Sequence, residues 1–198
     1  SGSEEDYGGG MSLTYSDPIL THVTISNNTA NYAGGGIFLN YSNPILTHVT
    51  ISNNEANYGG GMALDSSDPI LTHVTISNNT ADEGGGMWLY LSNPILTNSI
   101  IWDNSPESIH LYSDEQPIIT YSDIAGGWEG VGNIDDDPLF VRNPDDGGDG
   151  WGDDPDTPDV DEGVNDDFGD LHLQADSPCR NSGTADIDGD GEEDITDY

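Results

Sequence analysis

One phrase is written three times in this chain. SDPILTHVTISNN at 16–28 returns as SNPILTHVTISNN at 42–54 and as SDPILTHVTISNN at 67–79, and a decayed copy, SNPILTNSIIWDN, stands at 92–104. Triple glycines keep the same period at 8–10, 34–36, 59–61 and 84–86, so the unit is 25 residues, or 26 where Ala33 is inserted. A unit this short cannot bury its own apolar side chains. It must cover its neighbour's apolar face, and the result is a solenoid.

Each unit holds two alternating runs. The first places apolar residues at Met11/Leu13, Ile37/Leu39, Met62/Leu64, Met87/Leu89 and Ile109/Leu111; the second at Leu20, Val23 and Ile25 and their copies. Period-two alternation rich in β-branched residues reads as strand, and no helical period appears anywhere. Asp-Pro or Asn-Pro turns the chain before the second run, and Gly-Gly-Gly forces another corner. Ala30, Ala56 and Ala81 mark an expected short third strand close to the axis. Three short strands and three corners in about 25 residues make one coil of an all-β parallel β-helix, with equivalent residues stacked about 4.8 Å apart.

The repeat YGGGMALDSSDPILTHVTISNNTAD (58–82) and its copies resemble the bacterial right-handed parallel β-helix repeat proteins of the pectate-lyase-like superfamily. NIDDDPLFV (133–141) and the segment from Gly169 to Tyr198 resemble the closing segments of large secreted surface proteins in that group. The resemblance implies a right-handed coil and an extracellular or cell-surface location. It does not select a function, because enzymes, adhesins and spacers share the architecture. The expected organisation is coils over 1–141, an acidic Gly/Asp-rich loop over 142–170, and a closing segment over 171–198. The opening SGSEEDYGGG aligns with the middle of a unit, which leads us to expect a trimmed segment with an uncapped first coil.

Thirty-eight acidic residues against two arginines and no lysine give a net charge of −36. Such a surface repels nucleic acid and anionic lipid, which argues against both as partners. No apolar run is long enough to span a bilayer, so membrane insertion is not expected. A single cysteine, Cys179, excludes an internal disulfide framework.

Several columns of identical residues follow from the stacking. Asn27, Asn53 and Asn78, with Asp103 in the fourth copy, are expected to form a structural ladder beside Asn28, Asn54, Asn79 and Asn104; stacked amides hydrogen-bond to one another and to the turn backbone. NNT at 27–29 and 78–80 and NYS at 40–42 also read as glycosylation acceptors, but Glu55 breaks the series in the second coil. His22, His48 and His73 should face outward; a transition-metal site and simple repeat duplication are the alternatives for them. Thr24, Thr50 and Thr75 form a neighbouring outward column. On the first strand Phe38, Trp88, Tyr90 and Tyr112 are expected to make an exposed aromatic face that packs a loop, binds a sugar ring or contacts another subunit.

DIDGDGEEDITD at 186–197 follows the spacing of a calcium loop. Asp186, Asp188 and Asp190 take positions one, three and five, Gly191 the turn, Glu192 the carbonyl position, and Asp194 and Asp197 the ninth and twelfth. It resembles dockerin-like loops, and Ca²⁺ there would be structural. A second calcium site is expected in the acidic loop on Asp149, Asp153 and Asp154.

No catalytic group assembles in the sequence. Both arginines, Arg142 and Arg180, lie in the tail, and Asp65 has Asn40 and Tyr90 as its stacked neighbours rather than a second carboxylate. The expectation is a non-catalytic extracellular structural or surface protein, self-associating end to end into filaments and stabilised by calcium. The alternative is a carbohydrate-binding adhesin.

Overall fold

The computed structural model of the chain describes residues 6–144, 167 and 169–183. Its first coil contributes β1 (Met11–Thr14), β2 (Ile19–Thr21) and β3 (Thr24–Ser26). The second adds β4 (Ile37–Asn40), β5 (Ile45–Thr47), β6 (Thr50–Ser52) and β7 (Glu55–Tyr58). The third holds β8 (Met62–Asp65), β9 (Ile70–Thr72), β10 (Thr75–Ser77) and β11 (Thr80–Glu83). In the fourth lie β12 (Met87–Tyr90), β13 (Ile95–Thr97) and β14 (Ile100–Trp102), and in the fifth β15 (Ile109–Leu111), β16 (Ile118–Thr120) and β17 (Asp123–Ile124).

Three strands per coil recur through all five coils and stack into three five-stranded parallel sheets. A fourth pairing joins only β7 to β11, so the expected third strand near Ala56 and Ala81 is present in two coils and reduced to bridges at Thr29 and Ala33 in the first turn of the repeat. The run LTHVTIS is not one strand. His22, His48, His73 and Asn98 adopt positive φ near 50° and break it into two strands of three residues. That left-handed turn places Leu20 and Val23 inward on either side of a corner, which alternation alone does not reveal.

Register is strict. Leu13, Leu39, Leu64, Leu89 and Leu111 stack in one sheet. Leu20, Leu46, Leu71, Leu96 and Ile119 stack in the second, and Ile25, Ile51, Ile76, Ile101 and Ile124 in the third. These ladders converge on one apolar core, fully buried in the middle coils. Each such leucine or isoleucine contributes about 1.5–3 kcal/mol through the apolar surface it removes from water.

The corners are held by side chains that bond the backbone of an adjacent coil, the serines reaching back to the preceding one. Ser42 Oγ accepts from Ser16 N at 3.0 Å, Ser67 Oγ from Ser42 N at 2.9 Å, and Ser92 Oγ from Ser67 N at 2.9 Å. One residue on, the carboxamide or carboxylate oxygens of Asp17, Asn43, Asp68 and Asn93 each accept the backbone N–H of the following coil at 2.6–2.7 Å. This explains the repeated Ser-Asp/Asn-Pro.

At the Asn corner the amide ladder runs through Asn28, Asn54, Asn79 and Asn104. Asn54 Nδ2 donates to Asn79 Oδ1 at 2.9 Å and to the Ile25 carbonyl at 3.0 Å, and Asn79 Nδ2 donates to Asn104 Oδ1 at 2.9 Å. The expected ladder on Asn27, Asn53, Asn78 and Asp103 is corrected by one residue. Those four carry the positive φ of 53–58° that makes the turn, and asparagine tolerates that conformation best among residues with a Cβ.

The triple glycines also have a steric cause. Gly59 has φ +63°, and a Cβ on Gly60 would collide with the carbonyl groups of Thr80 and Gly85 in the next coil. Beyond the last coil, β18 (Phe140–Arg142) pairs antiparallel with β19 (Asp170–Leu173), followed by a short 3₁₀ turn at Pro178–Asn181. The expected boundary at 141 falls inside β18. No helix among the described residues is long and apolar enough to cross a membrane.

Candidate functional site

A groove of about 410 Å³ runs across all five coils on the outer face of the first sheet. Its floor is the column Phe38, Ala63 and Trp88, paired in register on β4, β8 and β12. Phe38 is only 9 % exposed and Ala63 is sealed, because Tyr7, Tyr32 and Tyr58, from the segment that precedes each triple glycine, lie over them. The expected open face of Phe38, Trp88, Tyr90 and Tyr112 is therefore corrected at Phe38, which is floor rather than surface. Tyr90 and Tyr112 form the opposite wall with Asp65, and Tyr112 is exposed.

The rings form a continuous row. Centroids lie 5.4 Å apart from Tyr32 to Tyr58, 5.6 Å from Tyr58 to Trp88, 5.6 Å from Trp88 to Tyr112 and 5.3 Å from Tyr90 to Tyr112. Tilted and edge-to-face pairs at such distances add stability beyond their burial and fix ring orientation. The tyrosine column was legible in the repeat, since Tyr7, Tyr32 and Tyr58 all stand just before the glycines; what the sequence hid is that it folds over Phe38.

Two carboxylates enter the groove. Asp65 accepts from Ser66 Oγ at 2.9 Å and from Asn40 Nδ2 at 3.4 Å. Glu83 lies 3.5 Å from His110 Nε2, and the other ring nitrogen of His110 lies 2.9 Å from Glu107 Oε1. Glu107 also accepts the backbone N–H of Gly84 at 2.9 Å, which anchors this chain of groups to the glycine corner.

The histidine column faces outward as expected. Ring centroids of His22 and His48 are 4.9 Å apart and those of His48 and His73 4.8 Å. Burial, and then the neighbouring ring, hold His48 and His73 below the ordinary histidine value. Asn98 closes the row with its amide nitrogen 3.3 Å from His73 Nε2.

On the third sheet a polar slot of about 360 Å³ separates Thr24, Thr50 and Thr75 from the strap carrying Asp170 and His172. Asn53 is 2 % exposed there, and among the described residues neither of its amide atoms has a hydrogen-bond partner. The strap is docked below by Cys179, whose thiol donates to Asp123 Oδ2 at 2.9 Å. Burial and this carboxylate push the Cys179 thiol up to about 12. Burial also raises Asp123, and the neighbouring Asp136 and Asp135 add to the shift against the hydrogen bonds that lower it.

Asp186, Asp188, Asp190, Glu192, Asp194 and Asp197 lie outside the described residues, as do Asp149, Asp153 and Asp154. Among the described residues no three histidine, cysteine or carboxylate side chains converge as metal ligands.

A family model described as right handed beta helix region matches residues 5–143. No curated protein and no solved structure shows significant similarity to the chain.

Proposed function

The chain belongs to the right-handed β-helix family, and from that premise we propose that it is a non-catalytic extracellular or cell-surface rod whose aromatic groove binds an extended saccharide. The observation that carries the proposal is the row of Tyr32, Tyr58, Trp88, Tyr90 and Tyr112 along one open groove. Sugars present apolar C–H faces to aromatic rings and hydroxyl edges to polar groups, and small-ligand sites combine these two surfaces. Ring-to-ring steps of 5.3–5.6 Å are of the size of one pyranose.

A non-catalytic role suits the carboxylates. Asp65 is occupied by Ser66 and Asn40, and Glu83 is directed to His110. Calcium belongs to the proposal as a structural ion, through the oxygen ligands spaced along 186–197. Thermal melting with calcium and then with excess chelator checks it: a lower Tm on chelation, abolished in Asp188→Ala, is the expected result.

Glycan-array binding tests the groove. Signal that is lost in Trp88→Ala and in Tyr90→Ala supports the reading; no glycan signal for the intact protein contradicts it.

A self-associating structural rod is the second reading. It is favoured by one feature, the column of Ile19, Ile45, Ile70, Ile95 and Ile118, all 40–71 % exposed on the outer face of the second sheet. A contiguous apolar stripe of this kind marks a contact surface, and a second copy offers the matching stripe. Sedimentation velocity across a concentration series separates the readings: growing assemblies abolished by Ile70→Lys would support it.

A further inference from the structure

We propose that the groove selects saccharides that carry protonated amines over neutral and over uronate-bearing ones; this rests on the saccharide reading above. The charge inside the groove is of one sign. Asp65 stands on one wall and Glu83 on the other, with Glu107 behind it through His110. Neither arginine of the chain lines it. A uronate chain would place its carboxylates against these acids without a cation to bridge them, at a cost that rises as water is excluded.

An ammonium group meets two complementary surfaces here. The faces of Trp88, Tyr58 and Tyr90 attract a cation through the ring quadrupole, and the carboxylates lie beside those rings. Both carboxylates keep lone pairs beyond their present contacts: Asp65 has two donors, and Glu83 has the single approach of His110. The amine can therefore displace water without stripping either acid of its partner. Spacing adds register, since Asp65 and Glu83 belong to the third coil while the rings extend through all five coils.

Bulk charge is the alternative source of any preference, because a chain of −36 attracts every polycation. The test separates the two. Isothermal titration at mildly acidic pH compares a glucosamine hexamer, its fully N-acetylated form and a galacturonate hexamer. The expected result is about tenfold tighter binding of the amine over the acetylated oligomer and none of the uronate. In the Asp65→Asn/Glu83→Gln variant that preference falls to about unity, while the remote pair Asp136→Asn/Asp176→Asn retains it. Equal binding of amine and acetylated oligomers by the unmodified protein overturns the inference and leaves the saccharide reading standing. Absence of binding by all three overturns both. A preference that survives in the groove variant assigns it to bulk charge and also overturns the inference.

Discussion

At the scale of single residues the molecule depends on polar columns as much as on apolar ones. Asn79 is fully buried, donates to Asn104 Oδ1 and the Ile51 carbonyl, and accepts both the backbone and side-chain N–H of Asn54. Asn79→Ala leaves those groups without partners, and we expect a loss of about 3 kcal/mol, read as a lower urea midpoint with unchanged slope. Asn28→Ala, at the partly exposed end of the ladder, should cost about 1 kcal/mol. His48 and His73 are held below their ordinary value of 6.5, so the unfolded chain takes up protons first. Their contribution is whole above pH 6.5 and is lost as the pH falls through that value toward the folded one. The urea midpoint should therefore drop further between pH 7.5 and 5.5 in the natural protein than in His48→Asn/His73→Asn, whose asparagines accept the same positive φ. Asp103 and Asp123, raised by burial, act in the opposite direction but equally in both proteins.

At the scale of the element, much was legible because stacking writes each contact several times. The inward leucines and isoleucines, the turn before each proline and the glycine corner all followed from period and alternation. Three things did not. The split of LTHVTIS at His22, His48 and His73 needed backbone conformation, which a histidine does not announce. The amide ladder fell on Asn54 and Asn79 instead of Asn53 and Asn78, because two adjacent asparagines at a corner divide the tasks of turning and bonding in a way composition leaves open. The burial of Phe38 depended on tyrosines from another segment folding across it. The glycine corner gives a prediction at this scale. Gly60→Ala forces a Cβ into the carbonyls of Thr80 and Gly85 in the adjacent coil. We expect about 3 kcal/mol or more of destabilisation, seen as a drop in Tm; Ala63, on the groove floor, is no guide to what Gly60 can accept.

For the whole molecule, five coils in register make a rod on which a linear ligand and a linear groove can match. The closing segment is fixed against the last coil by the Cys179–Asp123 contact. With its thiol pushed up to about 12 from 9, Cys179 should have about a thousandfold less thiolate at pH 8 than a free cysteine of that kind, and alkylation by iodoacetamide should proceed only on unfolding. Fast alkylation of the folded protein would show that the segment is not docked. The central claim, an extended saccharide lying along the aromatic row, is tested most directly by affinity as a function of ligand length. Isothermal titration with a β-linked oligosaccharide series from two to seven sugars should give binding that tightens with each added unit and levels off once the row from Tyr32 to Tyr112 is covered. Affinity independent of length, or no heat for any member with amine-bearing and neutral series alike, would contradict it.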